Sequence, residues 1–421
     1  MKRFFGIFLA LVLTLTACLG IFMLLEPRLR VGRTPDPDIV EDEPEPAPPA
    51  PFAGKIVIIS NSSADISGTE QYYAAAQAAQ EYGADKITHL TWPENYMREQ
   101  EEMVNILAGV AEDPSVKALI INQAVFGALA ALAKLRETRD DIFVVYCLPQ
   151  EDPVEIAQLA DLILDADTVA MGSAMVEQAY KMGAKTFVHY SFPRQMLMPV
   201  LAARRDEIAL KCAQLGLEFL DGRAPDPMSD VDAAAAAEWP QEDITQKIAE
   251  YGKDIAFFAT ECGQQAPLIM AVAQSGAIFP QPCHPSPYHG FPVALGLIAE
   301  DATPYVDSWF ELYKTDINAQ IRKALDKEGA LGRFSNWPVP IGMLCTWAGV
   351  EYALKRLNGE ASPDSVDQAL LEQCLADYAG VACTVRPYVE GVTYYNSIDP
   401  AAKGTTYPNF LLVREDYLIY E

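Results

Sequence analysis

Lys185-Thr186-Phe187-Val188-His189-Tyr190-Ser191-Phe192-Pro193-Arg194 is the stretch that decides the fold. Its first six residues read as a strand. The polar, proline-broken exit that follows leads into a long helix with Ile208, Cys212 and Leu215 on one face. The stretch matters because it restarts a pattern that has already run to completion upstream.

Upstream, Lys55-Ile56-Val57-Ile58-Ile59-Ser60 reads as a buried strand. Ser67-x-x-Glu70 then forms a capping box, followed by Tyr72, Ala75, Ala76 and Ala79 at helical spacing. Residues 87–92, 117–122, 142–147 and 162–164 read as further strands. Between them Met103, Ile106, Leu107 and Val110 give a helical stripe, and residues 125–135 and 169–182 give two more helices. Downstream of the restart come strands at 217–220 and 254–259 and helices at 244–251 and 266–274. Continuous apolar strands separated by helices predict parallel sheets covered on both faces. Two successive sets predict an α/β fold of two doubly wound parallel-sheet lobes. The tail breaks the rhythm, with helices expected at 309–327 and 341–357 and strands at 381–395 and 410–420. Such a tail suggests that the chain crosses back between the lobes.

The expected organisation is a signal peptide over 1–17, a tether and spacer over 18–51, lobes over 52–183 and 184–304, and crossing elements over 305–421. The signal rests on Lys2-Arg3, an apolar run over 4–13 and Leu15-Thr16-Ala17-Cys18, which resembles a lipobox. That resemblance implies cleavage before Cys18 and a lipid on its sulfur. The alternative is an uncleaved anchor, because apolar residues continue to Leu25 and the run is long enough to span a bilayer. Either way the remaining chain lies on the extracytoplasmic face of the cell membrane. Residues 34–51, TPDPDIVEDEPEPAPPAP, are a proline- and acid-rich extended spacer.

The net charge of −27 argues against nucleic acid as a partner, since phosphate contact needs Lys or Arg patches. Of eight cysteines, Cys18 is assigned to lipid, and the remaining seven include no C-x-x-C pair. Several lie in apolar runs, so no disulfide framework is expected; a Cys374–Cys383 pair stays open.

Residues 187–194, the Arg204-Arg205 helix ending in Gly216-Leu217-Glu218-Phe219, and Gly332-Arg333 with Trp337-Pro338-Val339-Pro340 carry a resemblance. The chain resembles an uncharacterised, domain-of-unknown-function family of bacterial lipoproteins. That family is distantly similar to the basic membrane protein group, whose better-known members bind nucleosides for ABC importers. Over residues 55–357 the organisation also resembles type I periplasmic solute-binding proteins. The resemblance implies a multi-crossing hinge, a ligand cleft between the lobes, and an ABC permease as partner.

In open α/β sheets ligands bind beyond the carboxyl ends of the strands. That rule selects Asn61, Ser62 and Ser63 after the first strand, with Asn122 and Gln123 after the third. It also selects His189, Tyr190, Phe192 and Arg194 at the restart, and Glu261 after the strand at 254–259. Amides suit a polar ligand, an aromatic can stack on a ring, and a guanidinium can fork onto an anion. The structural alternatives are helix-entry turns for the first group, backbone capping for the amides, and an ordinary ion pair for Arg194.

Cys283-His284-Pro285-Ser286-Pro287-Tyr288-His289-Gly290 holds two of the four histidines. Two histidines and a cysteine can ligate zinc. The prolines set a loop, however, and no fourth ligand is apparent, so the segment reads as a ligand- or hinge-facing loop. No metal and no cofactor are expected.

No G-x-S-x-G elbow, H-E-x-x-H helix or G-x-x-x-x-G-K loop is present. The expected function is therefore capture of a small polar ligand, nucleoside-like or anionic, without catalysis. A sensory lipoprotein reporting to a membrane kinase and a cell-surface enzyme on the same fold are the alternatives.

Overall fold

The computed structural model describes residues 53–62, 69–229, 239–298, 307–390 and 404–421. The lipobox with Cys18, the acidic spacer, Ser63 and Ser67 lie outside the described residues. Among the described residues no helix is long and apolar enough to cross a membrane.

The first part of the chain alternates strand and helix. In order come β1 (Lys55–Ser60), α1 (Thr69–Tyr82), β2 (Ile87–Thr91), α2 (Gln100–Glu112) and β3 (Val116–Asn122). There follow α3 (Ala128–Arg136), β4 (Phe143–Cys147), α4 (Pro153–Leu159), β5 (Leu162–Ala166) and α5 (Ala170–Lys181). Alternate residues of the strands enter opposite cores. Ile56, Ile58, Ala118, Ile120 and Val145 pack on one face. Val57, Ile59, Leu119, Ile121 and Val144 pack on the other. Both faces are buried, which is why the runs are apolar without a break.

The restart is real. β6 (Thr186–Ser191) leads to α6 (Pro199–Leu215), β7 (Glu218–Arg223), α7 (Trp239–Tyr251), β8 (Ile255–Ala259) and α8 (Gln265–Ser275). These strands form a separate parallel sheet in the order β7-β6-β8. Single parallel bridges, Ala256 to Ile278 and Phe279 to Phe334, extend it. β7 is an edge and correspondingly less buried.

The tail supplies α9 (Phe291–Ala294), α10 (Asp307–Tyr313), α11 (Ile317–Lys327), β9 (Ser335–Asn336), α12 (Ile341–Leu357) and α13 (Gln368–Ala379). It ends with β10 (Cys383–Val389), β11 (Thr406–Glu415) and β12 (Leu418–Ile419). β11 pairs parallel with β5 and antiparallel with β10, giving the larger sheet the order β10-β11-β5-β4-β3-β1-β2. β12 pairs with β9. The chain thus returns to the first sheet after building the second.

The helix expected over 309–327 is two helices, and the side chain of Asp316 caps the second by accepting from Ala319 N. α13 is a helix that periodicity did not reveal. The strand expected from residue 381 ends at Val389 within the described residues. The strand expected over 410–420 starts earlier, at Thr406, and breaks before β12.

α12 is buried on most of its circumference and packs on the first sheet. Its Leu344, Ala348 and Val350 share one cluster with Ile58 of the first sheet and Phe257 of the second. That shared core makes residues 50–421 one compact unit.

Candidate ligand site at the carboxyl ends of the strands

At the exits of the second sheet, three loops converge. Arg194, after β6, forks onto Asp226, after β7: Nε to Oδ2 is 3.1 Å and Nη2 to Oδ1 is 2.8 Å. The Arg194 guanidinium lies 5.1 Å from the centre of the Phe192 ring. Gln195 Nε2 donates to Glu261 Oε2 at 2.9 Å, bringing in the exit of β8. Burial lifts the Glu261 carboxyl above its usual range, and the Gly263 N–H and Arg194 draw it back. Phe192, Arg194 and Glu261 therefore lie close together. Asp226 and Gln195 complete the group and were not singled out from sequence. The fork of Arg194 is engaged by an acid of the protein, although the side chain is 55% exposed.

His189 and Tyr190 are not side by side. Strand alternation sends them to opposite faces of the second sheet. His189 stacks on Phe258 and is fully buried, with Nδ1 3.2 Å from Asp221 Oδ1 and Nε2 3.0 Å from Thr260 Oγ1. Burial holds its imidazole below the usual range, so it is neutral at pH 7. Tyr190 packs on Trp239 and Phe257, and its hydroxyl donates to Asp243. Asp243 in turn lines a cavity of about 360 Å³ with Arg223, Pro225 and Trp239, between the end of β7 and α7.

The exits of the first sheet are occupied differently. The Asn122 amide donates to Gly342 O at 2.7 Å and to Thr346 Oγ1 at 2.8 Å, tying β3 to the start of α12. Gln123 accepts Trp92 Nε1 on its backbone oxygen at 3.3 Å. Asn61 is buried and Ser62 half-buried at the end of β1. Farther along, Glu151 receives Gly127 N at 2.9 Å and Leu129 N at 2.7 Å, capping α3 from another loop.

A hydrogen bond joins the two sets of exits. Ser286 Oγ, in the proline-rich loop, donates to Glu70 Oε1 at 2.8 Å, in the first turn of α1. Burial raises the Glu70 carboxyl above its usual range, while Ser286, His289 and His284 draw it down. Tyr313 stacks on Tyr73 of α1 at 4.9 Å and meets Tyr288 of the loop at 4.4 Å. The Ser67 partner of the expected capping box lies outside the described residues; Glu70 reaches Ser286 of the proline-rich loop.

That same loop brings its cysteine and histidines onto Cys262, at the exit of β8. Donor atoms of Cys262, Cys283, His284 and His289 all lie within 4.8 Å of one another. The spacing within 283–290 offered three of these groups; the fourth stands 21 residues upstream of Cys283. All seven described cysteines are free, including Cys374 and Cys383.

The sequence model of a family described as protein of unknown function (DUF3798) matches residues 55–335. The chain belongs to that family. A protein of Treponema pallidum (strain Nichols) is 35% identical over 168 residues, covering 40% of this chain and 76% of that protein. Among solved structures, this DUF3798 protein shares its fold with a Clostridium difficile 630 protein whose proposed role is transcriptional regulation. The TM-score is 0.75 at 22% identity, over 88% of this chain and 99% of that one. An arabinose-binding protein from Geobacillus stearothermophilus overlaps more loosely, with a TM-score of 0.44 and 14% identity over 75% and 92% of the two chains. The α/β class expected from the sequence is the class observed, and the Clostridium difficile protein shares it.

Proposed function

We propose that this DUF3798 protein is an extracytoplasmic solute-binding lipoprotein. A small polar ligand enters between the lobes, contacts from both sides bias them toward closure, and the closed form docks on an ABC permease. Cys18 carries the lipid that holds the protein at the membrane, and the acidic spacer lifts the lobes from it.

The Ser286–Glu70 hydrogen bond carries this reading. It links a loop at the carboxyl end of the second sheet to the helix that follows β1, so the ligand-binding edges of two parallel sheets adjoin. The proposed ligand contacts are Phe192, Arg194 and Glu261 on the second lobe and Asn61, Ser62 and Gln123 on the first. A binding role without catalysis agrees with His189, whose ring is buried and has both nitrogens engaged.

The test is to purify the protein without refolding, denature it, and identify released small molecules by mass spectrometry. One molecule per chain, rebinding in calorimetric titration, is the expected result. A chain that releases nothing and whose melting temperature responds to no nucleoside, sugar or organic anion would end the solute-binding reading.

A further inference from the structure

We propose that Cys262, Cys283, His284 and His289 form a zinc site. The site is independent of whether a solute binds between the lobes. Cys283 Sγ lies 3.6 Å from Cys262 Sγ, 3.3 Å from His284 Nδ1 and 3.2 Å from His289 Nε2. Cys262 Sγ lies 3.5 Å from His284 Nδ1. A tetrahedral Zn²⁺ with Zn–S of about 2.3 Å and Zn–N of about 2.0–2.1 Å sets sulfur–sulfur edges of about 3.8 Å and sulfur–nitrogen edges of about 3.6 Å. Four of the six donor–donor edges thus lie within about 0.4 Å of those of such a tetrahedron, and the other two are no longer than 4.8 Å. Two thiolates and two imidazoles in that geometry select zinc over the oxygen-seeking cations.

The surroundings hold the donors in place. Cys283 N donates to Gln265 Oε1 at 3.2 Å, and Arg204 Nη1 donates to Cys283 O at 3.2 Å. Arg204 is buried, and among the described residues no carboxylate pairs with it. Its positive charge offsets part of the negative charge that two thiolates bound to one ion bring into the site. Pro282, Pro285 and Pro287 stiffen the loop, so little freedom is lost when an ion binds. Gly290 has a φ of 82°, and a Cβ there would stand 2.8 Å from Cβ of Gln265 and 2.9 Å from Cδ1 of Ile269. The absent side chain lets the loop lie against α8. Cys262 is exposed and gives the ion a way in.

Four protein ligands fill the coordination sphere, so the site is structural. All four come from the second lobe. The metal would fix the loop whose Ser286 reaches Glu70 of the first, so it would set the geometry of the contact between lobes.

At 3.6 Å the two sulfurs are not joined, since a disulfide S–S bond is about 2.05 Å. An oxidising compartment could nonetheless join them. The experiment therefore uses the full chain, extracted from its membrane in detergent without chelator or reductant. Metal content is measured by plasma mass spectrometry, and thiols by alkylation and peptide mapping. About one zinc per chain with Cys262 and Cys283 both alkylatable is the expected result. Cys262→Ser and His289→Ala should each weaken zinc affinity by more than about a hundredfold, since loss of a supporting outer partner alone costs about 10–100-fold. Cys374→Ala should retain full metal. If either ligand variant fails to fold, cobalt exchanged into the wild-type chain decides: tetrahedral absorption with a thiolate charge-transfer band supports the site. Octahedral cobalt, a Cys262–Cys283 disulfide in the extracted protein, or zinc retained in Cys262→Ser would overturn it.

Discussion

The exits of the two sheets use similar residues for different ends. In the first sheet, polar groups after the strands mostly join secondary structures. Asn122 holds α12, Glu151 caps α3, and Gln123 receives Trp92. In the second sheet, the exits of β6, β7 and β8 gather Arg194, Asp226, Gln195 and Glu261 into one half-exposed group, with four metal-type donors next to it. The difference follows from size. The first sheet is wide and must anchor long helices over both faces. The second has three strands, and its loops are close enough for side chains from all of them to meet.

The sharpest test of this contrast is Asn122→Ala. It removes two buried hydrogen bonds and leaves Thr346 Oγ1 without the donor it accepts from, while Gly342 O keeps Thr346 Oγ1 as a donor, so stability should fall by about 1–3 kcal/mol in urea unfolding. Intact stability with lost affinity for the co-purified ligand would move Asn122 into the ligand site.

Glu151→Ala comes next. Losing a carboxylate that caps two N–H groups of α3 and accepts the Tyr146 hydroxyl should cost about 1–2 kcal/mol. No change in the denaturation midpoint would remove the helix-anchoring role from this loop.

Arg194→Ala should leave the melting temperature almost unchanged, because its pair with Asp226 is solvent-screened. Affinity for the co-purified ligand should fall about tenfold to a hundredfold if the guanidinium also holds an anionic group. Arg194→Lys should restore part of it, since an ammonium lacks the planar fork. Unaltered affinity in the alanine variant would reduce the Arg194–Asp226 pair to a surface ion pair.

The smallest expected effect concerns pH and the first sheet. Burial lowers His89 to about 4, and its Nε2 meets Ser60 Oγ at 2.9 Å. The unfolded chain, with His near 6.5, binds the proton first, so this group's contribution is present above about pH 6.5 and is lost as pH falls toward 4. His89→Gln should therefore shrink the drop in melting temperature between pH 7 and pH 5. Asp165, raised to about 7 by burial, has the opposite slope: its folded form keeps a proton that the unfolded chain releases above about pH 4. Asp165→Asn should make the drop larger. Equal profiles for wild type and both variants would contradict the burial of these groups.

The strands were legible because their chemistry is local. Ile56–Ile59 is apolar in a continuous run and Phe187–Tyr190 is broken only by His189, and a strand buried on both faces has no other way to avoid exposing such residues. The exits could then be found by counting to the end of each run. α13 was not legible, nor was the split between α10 and α11, because weak periodicity and a single cap decide them. The pairing of β11 with β5 joins residues from opposite ends of the lobes' sequence, and nothing local encodes it.

The sequence by itself determined the alternation of strand and helix, the restart at residue 185, and which loops follow strand ends. These depend on periodicity and on burial of neighbours along the chain. Only the tertiary structure decided what the exit residues do. It engaged Arg194 with Asp226, turned His189 and Tyr190 to opposite faces, sent Glu70 to Ser286, and set Cys262 against Cys283, His284 and His289. Each of these partners lies far along the chain, and side-chain chemistry acts over a few ångströms of space whatever the distance in sequence.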